Sequence, residues 1–156
     1  MVTTTEYTND TDTNQLVVTL TDAENRITKS RTDARERLRS FVNADGTTMT
    51  YSYDGNNNLL AVVDELGRET AYTYDLLNRQ RKVTDAEDRT VKTDYDANGN
   101  VVKVVDEIGY TVEYGYDQLN RLTSESDNLN RSLTYSYDEE GNQTKVTDSN
   151  GRVHKI

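Results

Sequence analysis

Residues 51–75 read YSYDGNNNLLAVVDELGRETAYTYD and contain one full period of the chain. The Tyr53-Asp54 pair near its start returns 21 residues later as Tyr74-Asp75. The same spacing then gives Tyr95-Asp96, Tyr116-Asp117 and Tyr137-Asp138, and towards the N-terminus it gives Thr32-Asp33 and Thr11-Asp12. A fixed period of this length is typical of a repeat protein that uses one supersecondary unit many times.

A second series of turn residues lies ten positions after the first. It consists of Asp22, Asp64, Asp85, Asp106, Asp127 and Asp148, with Asn43 in the remaining slot. Three positions later stand Asn25, Gly46, Gly67, Asp88, Gly109, Asn130 and Gly151, all types that tolerate a positive φ. The same offset from the first series gives Asn57, Asn78, Gly99, Asn120 and Gly141, whereas Gln15 and Glu36 suit it poorly. Asp followed by Gly or Asn at this distance suits a type I turn closed by a G1 bulge. The chain is therefore predicted to reverse twice in every 21 residues.

The segments between the turns have about six residues, near the usual strand length. Period-two alternation places Tyr72 and Tyr74 on one face, and the pattern recurs at Tyr51 with Tyr53, Tyr114 with Tyr116, Tyr135 with Tyr137 and Thr93 with Tyr95. The next strand carries Leu20, Phe41, Val62, Val83, Val104 or Val146 eight positions after the first Asp, with Glu125 as the exception. Three positions earlier stand Val17, Leu38, Leu59, Val101 and Leu122, interrupted by Gln80 and Gln143. Neither face of this strand is purely apolar, so the pattern does not assign its inner face.

These patterns predict an all-β fold of tandem antiparallel β-hairpin repeats without helices. Fourteen short strands would make a curved or spiralling single sheet, about 65 Å across if it were flat. Residues 1–10 are interpreted as a lead-in and residues 11–156 as seven tandem repeats. Residues 11–42 are degenerate, residues 43–156 match strongly, and the last repeat is incomplete.

Charge and composition exclude several classes of partner. The chain has 28 Asp and Glu against 18 Lys and Arg, for a net charge of −10, and the basic residues are spread singly. No basic stripe exists to neutralise phosphates, so we expect no nucleic-acid partner. No apolar run approaches the roughly 18 residues of a spanning helix, so we expect no membrane insertion. With 33% hydrophobic residues and no Cys, we expect neither a thick core nor disulfides.

Two segments resemble the signature of the YD-repeat, or RHS-repeat, family: Tyr72-Thr-Tyr-Asp-Leu-Leu-Asn-Arg79 and Val62-Val-Asp-Glu-Leu-Gly-Arg68. In this family the repeats form a long spiralling β-sheet that closes into a hollow shell, found in bacterial polymorphic toxins, insecticidal toxin complexes and the animal teneurins. The resemblance implies a secreted or surface-displayed shell segment whose partners are further repeats and an enclosed cargo or toxin. Some members cut themselves beside a C-terminal core motif containing Pro. This chain has no Pro, so no residue is expected to perform that reaction.

No catalytic or cofactor-binding residue is expected. Nearly half of the carboxylates are periodic turn Asp residues, and His154 is the only His. Asp54, Asn56, Asn58 and Glu65 match positions one, three, five and twelve of a calcium-binding loop, but Leu59 stands where that loop needs Gly. Local turn formation explains the first three without a metal.

The sequence leaves two functional hypotheses. The first is a non-catalytic scaffold segment, favoured by the unbroken register. The alternative is an adhesive or carbohydrate-binding module, in which tyrosine rings stack on a glycan, or a subunit that polymerises through open edge strands.

Overall fold

The computed structural model describes residues 4–10 and 15–155, and these residues form β-strands and turns without a helix. The strands are β1 (Thr4–Asp10), β2 (Gln15–Thr21), β3 (Ile27–Thr32), β4 (Leu38–Val42), β5 (Thr48–Tyr53), β6 (Leu59–Val63), β7 (Glu69–Tyr74), β8 (Gln80–Thr84), β9 (Thr90–Tyr95), β10 (Val101–Val105), β11 (Thr111–Tyr116), β12 (Leu122–Asp127), β13 (Ser132–Tyr137), β14 (Gln143–Asp148) and β15 (Val153–Lys155). The all-β prediction is confirmed. The expected turn at Thr11-Asp12 lies outside the described residues.

The chain divides into two compact units, one holding β1–β7 and the other β8–β15, with Asp85–Glu87 grouped with the first. Within each unit, every strand pairs antiparallel with the next strand along the chain, which is the predicted hairpin meander. The described residues form fifteen strands, one more than the expected fourteen. The additional strand lies in the part predicted as a lead-in. Residues Thr4–Asp10 form β1, which pairs with β2 from Thr4↔Thr21 to Asp10↔Gln15.

The turns reverse the chain where the two Asp series predict. All twelve Gly, Asn and Asp residues predicted to tolerate a positive φ adopt one. Glu36, predicted to suit this position poorly, also has a φ of 62°. The reason is the Asp33 carboxylate, which accepts the N–H groups of Arg35 and Arg37 at 2.9 and 3.1 Å. These bonds fix the turn, so Glu36 takes the left-handed conformation despite its Cβ.

One extra residue lies in the strand that follows a Tyr-Asp turn. In the β5–β6 hairpin, Tyr53 pairs with Leu59 while Ser52 pairs with Ala61, so Leu60 forms a β-bulge between the pairs. Matching shifts recur at 21-residue multiples, at Arg39, Val102, Thr123 and Thr144. A bulge changes which residues face the same side, so Leu59 and Val62 share a face although they are three positions apart.

The bulge gives each unit a face of aromatic and aliphatic side chains, which we call the tyrosine face. Because Tyr51 lies opposite Val62 and Tyr53 opposite Leu59, all four point to the same side. In the second unit this face contains Tyr95, Val101, Val104, Val112, Tyr114, Tyr116, Leu122, Leu133, Tyr135, Tyr137 and Val146. The opposite face carries mainly small polar and charged residues, such as Ser124 and Thr134. The apolar residues of the strand after each Tyr-Asp turn, such as Leu59 and Val62, which the sequence pattern did not assign to one face, thus lie on the tyrosine face.

No described residue is fully buried, so the described part of the chain has no closed core. The strand tyrosines from Tyr51 onward are half-buried along their face. This thin organisation agrees with a composition of only 33% hydrophobic residues.

Candidate functional site

The Asp that opens a turn binds that turn through both carboxylate oxygens. Asp54 Oδ1 accepts the N–H groups of Asn56 and Asn58, each at 2.8 Å, and Oδ2 accepts Asn58 Nδ2 at 2.8 Å. The same pair of backbone bonds to Oδ1 occurs at Asp22, Asp33, Asp64, Asp96, Asp106, Asp117, Asp127 and Asp148. The turn Asp residues therefore act as local structural acceptors.

Several of these turn carboxyl groups have lowered pKa values, because their hydrogen bonds favour the ionised form. The Asn58 amide is the main cause for Asp54. The Arg37 side chain holds the pKa of Asp33 at about 2. Burial raises the pKa of Asp127, but the backbone N–H and guanidinium of Arg131 and the Tyr110 hydroxyl outweigh it, so the pKa falls to about 2.

The four calcium candidates do not come together. Asp54, Asn56 and Asn58 lie in one turn, but Glu65 follows the far end of β6, so the five-residue strand Leu59–Val63 separates it from them. Glu65 Oε1 instead accepts Asn43 Nδ2 at 3.2 Å. Among the residues that the structure describes, no group of three or more His, Asp or Glu side chains is placed to hold a metal ion.

In four of the five Tyr-Asp pairs, the tyrosine ties its strand to the preceding strand. Tyr74, Tyr95, Tyr116 and Tyr137 each donate their hydroxyl to the backbone oxygen fifteen residues earlier, at 2.8 to 3.0 Å. For Tyr74 the acceptor is Leu59, which lies beyond Ala61↔Ala71, the last pair of the β6–β7 ladder. The hydroxyl thus satisfies a carbonyl at the place where the bulge ends regular pairing. Burial raises the pKa of Tyr74 and Tyr116.

From Asp33 onward, the fourth residue after the first-series Asp alternates between Arg and Asn, with a period of 42 residues. It is Arg37, Asn58, Arg79, Asn100, Arg121 and Asn142 in order. The guanidinium carbons of Arg37, Arg79 and Arg121 lie 4.6 to 4.9 Å from the ring centres of Tyr53, Tyr95 and Tyr137. Each of these Arg residues also donates to the backbone oxygen of the next first-series Asp, at 2.9 to 3.5 Å. These contacts hold successive hairpins together.

The Asn members of this slot make a different contact. Asn58 Nδ2 donates to Asn78 Oδ1 at 2.7 Å, and Asn100 Nδ2 donates to Asn120 Oδ1 at 2.8 Å. The acceptor is the positive-φ residue of the next first-series turn. Sequence analysis missed this slot, although its 42-residue alternation is visible in the sequence.

The second-series turns carry their own contacts. Arg26, Arg68 and Arg131 each bind the Asp that opens their own turn, at 2.6 Å. Tyr110 occupies the corresponding slot one repeat before Arg131, and its hydroxyl donates to Asp127 Oδ2 at 3.0 Å. Arg131 lies over the Tyr110 ring, with its guanidinium carbon 5.8 Å from the ring centre.

His154, the only His, is exposed in β15 opposite Val146. The described segments also contain no helix long and apolar enough to cross a membrane.

The fold and these contacts define a β-hairpin repeat protein whose successive hairpins are joined through tyrosines and turn side chains. The RHS repeat family model matches residues 33–65, 53–90, 95–129 and 119–153. The chain belongs to the RHS repeat family, which confirms the resemblance seen in the Tyr-Asp segments.

Several solved structures are similar to this chain to different degrees. The crystal structure of TcdB2-TccC3 without its hypervariable C-terminal region matches 91% of this chain, with a TM-score of 0.66 and 17% identity. The crystal structure of TcdB2-TccC3-TEV matches 91% at 16% identity with a TM-score of 0.48, and the Photorhabdus luminescens Tc holotoxin pore matches 86% at 16% identity with a TM-score of 0.44. This chain covers 10 to 11% of those chains. No curated protein matches it.

Proposed function

We propose that the chain is a non-catalytic wall segment of an RHS-type shell that is secreted or displayed at the cell surface. In the intact protein, this wall encloses or presents a cargo such as a toxin domain. The observation that carries the proposal is that the repeated polar side chains bind their own turn or the next hairpin.

Many polar side chains of the repeat are engaged in this bonding. Turn carboxylates such as Asp54 accept backbone N–H groups, and the hydroxyl of Tyr74 reaches a backbone oxygen. The guanidinium of Arg121 lies over Tyr137 while its Nε binds Asp117 at 2.7 Å. Groups held in this way strengthen a sheet, and they are poorly placed to attack or protonate a substrate.

The fold shared with the TcdB2-TccC3 structure supports a wall built from more repeats than these. The chain covers 10% of that structure, and its tyrosine face remains open because none of the described residues is fully buried. Further repeats and an enclosed polypeptide are therefore the partners that we propose.

The test is electron cryomicroscopy of the natural polypeptide that contains this sequence, combined with limited proteolysis. We expect a β-wall that surrounds density for another segment and protects that segment from protease while the wall is folded. A wall segment with solvent on both faces and no enclosed or attached segment would contradict the proposal.

Sugar binding is a second candidate, favoured by Tyr72 and Tyr114. Both lie on the tyrosine face, and their hydroxyls make no hydrogen bond within the described part of the chain. Tyrosine rings of this kind can stack on sugar rings. A glycan array run on the chain and on a Tyr72→Ala, Tyr114→Ala variant tests this: glycan binding that the variant loses while folded would place sugar binding above the wall function.

A further inference from the structure

Glu125 breaks the repeat at a position where the chain is otherwise apolar. The corresponding slot holds Leu20, Phe41, Val62, Val83, Val104 and Val146 in the other repeats. Glu125 keeps the orientation of that slot, because it pairs with Tyr114 on one side and Leu133 on the other. Apart from the turn Asp residues at strand ends, it is the one acidic side chain among the paired residues of the second unit's tyrosine face. Departures from a regular pattern of this kind are typical of functional positions.

Among the residues that the structure describes, the carboxylate of Glu125 has no cationic partner. Its one hydrogen bond is a long one from the Tyr135 hydroxyl to Oε2, at 3.4 Å, and it takes part in no ion pair within the described residues. Burial first, and then the charge of Glu125, raise the pKa of Tyr135. The guanidinium of Arg131, in the turn that follows β12, is bound to Asp127 at 2.6 Å.

Glu125 lines an open cleft of about 450 Å³ on the second unit. Asp127, Asp148 and Arg131 also line it, so three carboxylates face one guanidinium, and Leu133 provides an apolar wall. The cleft is continuous with the tyrosine face through the cross-strand pairs of Glu125 with Tyr114 and Leu133. Its chemistry therefore suits a positive group carried on an apolar stem.

We infer that the tyrosine face around Glu125 is a docking surface for a partner polypeptide segment that inserts a Lys side chain. The ammonium group pairs with the Glu125 carboxylate, and the methylene stem and neighbouring apolar residues cover Tyr114 and Leu133. A peptide fits better than a free cation, because no group of three or more acidic or His ligands converges in the described part of the chain. Docking at this surface does not depend on whether the wall encloses a cargo.

The test follows backbone amide and tyrosine ring NMR signals while N-acetyl-Leu-Lys-Leu-amide is added to the chain. We expect shifts around Glu125, Tyr114 and Tyr135, with a dissociation constant about fivefold or more larger for the matching Leu-Gln-Leu peptide. Glu125→Gln should weaken Lys-peptide binding by a similar factor. Glu113→Gln removes one negative charge from the neighbouring strand on the opposite face and should leave binding unchanged.

Glu125→Val separates a docking role from a folding role. Val fills this slot in other repeats, so this variant should keep its β-sheet circular dichroism, melt at a higher temperature and lose Lys-peptide binding. The inference is overturned if the Lys peptide gives no shifts, if Glu125→Gln or Glu125→Val binds as tightly as the parent chain, or if Glu113→Gln weakens binding as much as Glu125→Gln.

Discussion

The hydroxyl of Tyr116 lies 3.0 Å from the backbone oxygen of Val101, whereas that of Tyr114, two residues earlier on the same strand and face, makes no hydrogen bond within the described residues. The two tyrosines of one strand therefore differ in role. Tyr74 and Tyr137, the second members of two further pairs, tie their strands to the preceding one in the same way, whereas the Tyr53 hydroxyl makes no such hydrogen bond within the described residues.

The difference predicts unequal effects of removing a hydroxyl. Tyr116→Phe leaves the Val101 carbonyl without its donor and should lower the free energy of unfolding by about 1 kcal/mol. Tyr114→Phe removes a hydroxyl that has no partner and should change it by less than about 0.5 kcal/mol. Urea unfolding followed by circular dichroism measures both, and equal losses would contradict the assigned role of Tyr116.

Arg121 should contribute more to stability than an ordinary surface arginine. Its guanidinium lies 4.6 Å from the ring centre of Tyr137 and binds Asp117, so Arg121→Ala should cost about 1–2 kcal/mol. Arg81 makes an exposed ion pair with Asp94, so Arg81→Ala should cost less than about 0.5 kcal/mol. Arg121→Lys keeps the charge but lacks the planar guanidinium. It should therefore lower the free energy of unfolding by nearly as much as Arg121→Ala does. Full stability in Arg121→Lys, measured by urea unfolding, would show that charge alone matters.

Glu36 occupies a position that favours Gly or Asn. Its φ of 62° strains a residue with a long side chain, so Glu36→Asn should raise the free energy of unfolding by up to about 1 kcal/mol. Glu107→Asn is the control, because Glu107 lies in the turn opened by Asp106 but does not itself have a positive φ, so this change should give no gain. The melting temperatures of both variants test this prediction. A lower melting temperature for Glu36→Asn than for the parent chain would contradict the claim that Glu36 is strained.

Acid should weaken the fold through its turn Asp residues. The pKa values of Asp33 and Asp127 are about 2 in the folded chain, below their usual 3.8. A lowered folded pKa means that these groups stabilise the fold above about pH 4 and lose that contribution as the pH falls towards about 2. Asp127→Asn should therefore reduce how steeply the urea midpoint of unfolding falls between about pH 4 and about pH 2. Asn is a suitable replacement, because Asn43 opens a second-series turn. An unchanged slope in the variant would show that Asp127 does not contribute.

The positions of the turns could be predicted because each depends on local chemistry. An Asp carboxylate and a residue that tolerates a positive φ suffice, as at Asp64 and Gly67, and neither requires knowledge of distant residues. The positive φ of Glu36 was not predicted, because the hydrogen bonds of Asp33 override the conformational preference of a single residue. Strand β1 was missed because it precedes the first turn of the register and carries no Tyr-Asp pair.

The faces of the sheet could not be predicted because of the bulge at Leu60. Leu59 and Val62 are three residues apart, which contradicts the alternation of a regular strand until one extra residue is inserted between them. The Arg and Asn alternation was visible in the sequence, but its meaning required the structure, where Arg121 lies over Tyr137 and Asn100 reaches Asn120. The role proposed for Glu125 likewise depends on knowing which side chains surround it.

The central claim is that each repeat is a bulged hairpin bound to the next, and NMR contacts between backbone protons of β5 and β6 test it most directly. The account predicts contacts that place Tyr53 opposite Leu59 and Tyr51 opposite Val62, and the same shifted pairing at Tyr116 with Leu122 and Tyr114 with Glu125. Contacts that place Tyr51 opposite Ala61 in a regular ladder, or helical chemical shifts in these segments, would contradict it.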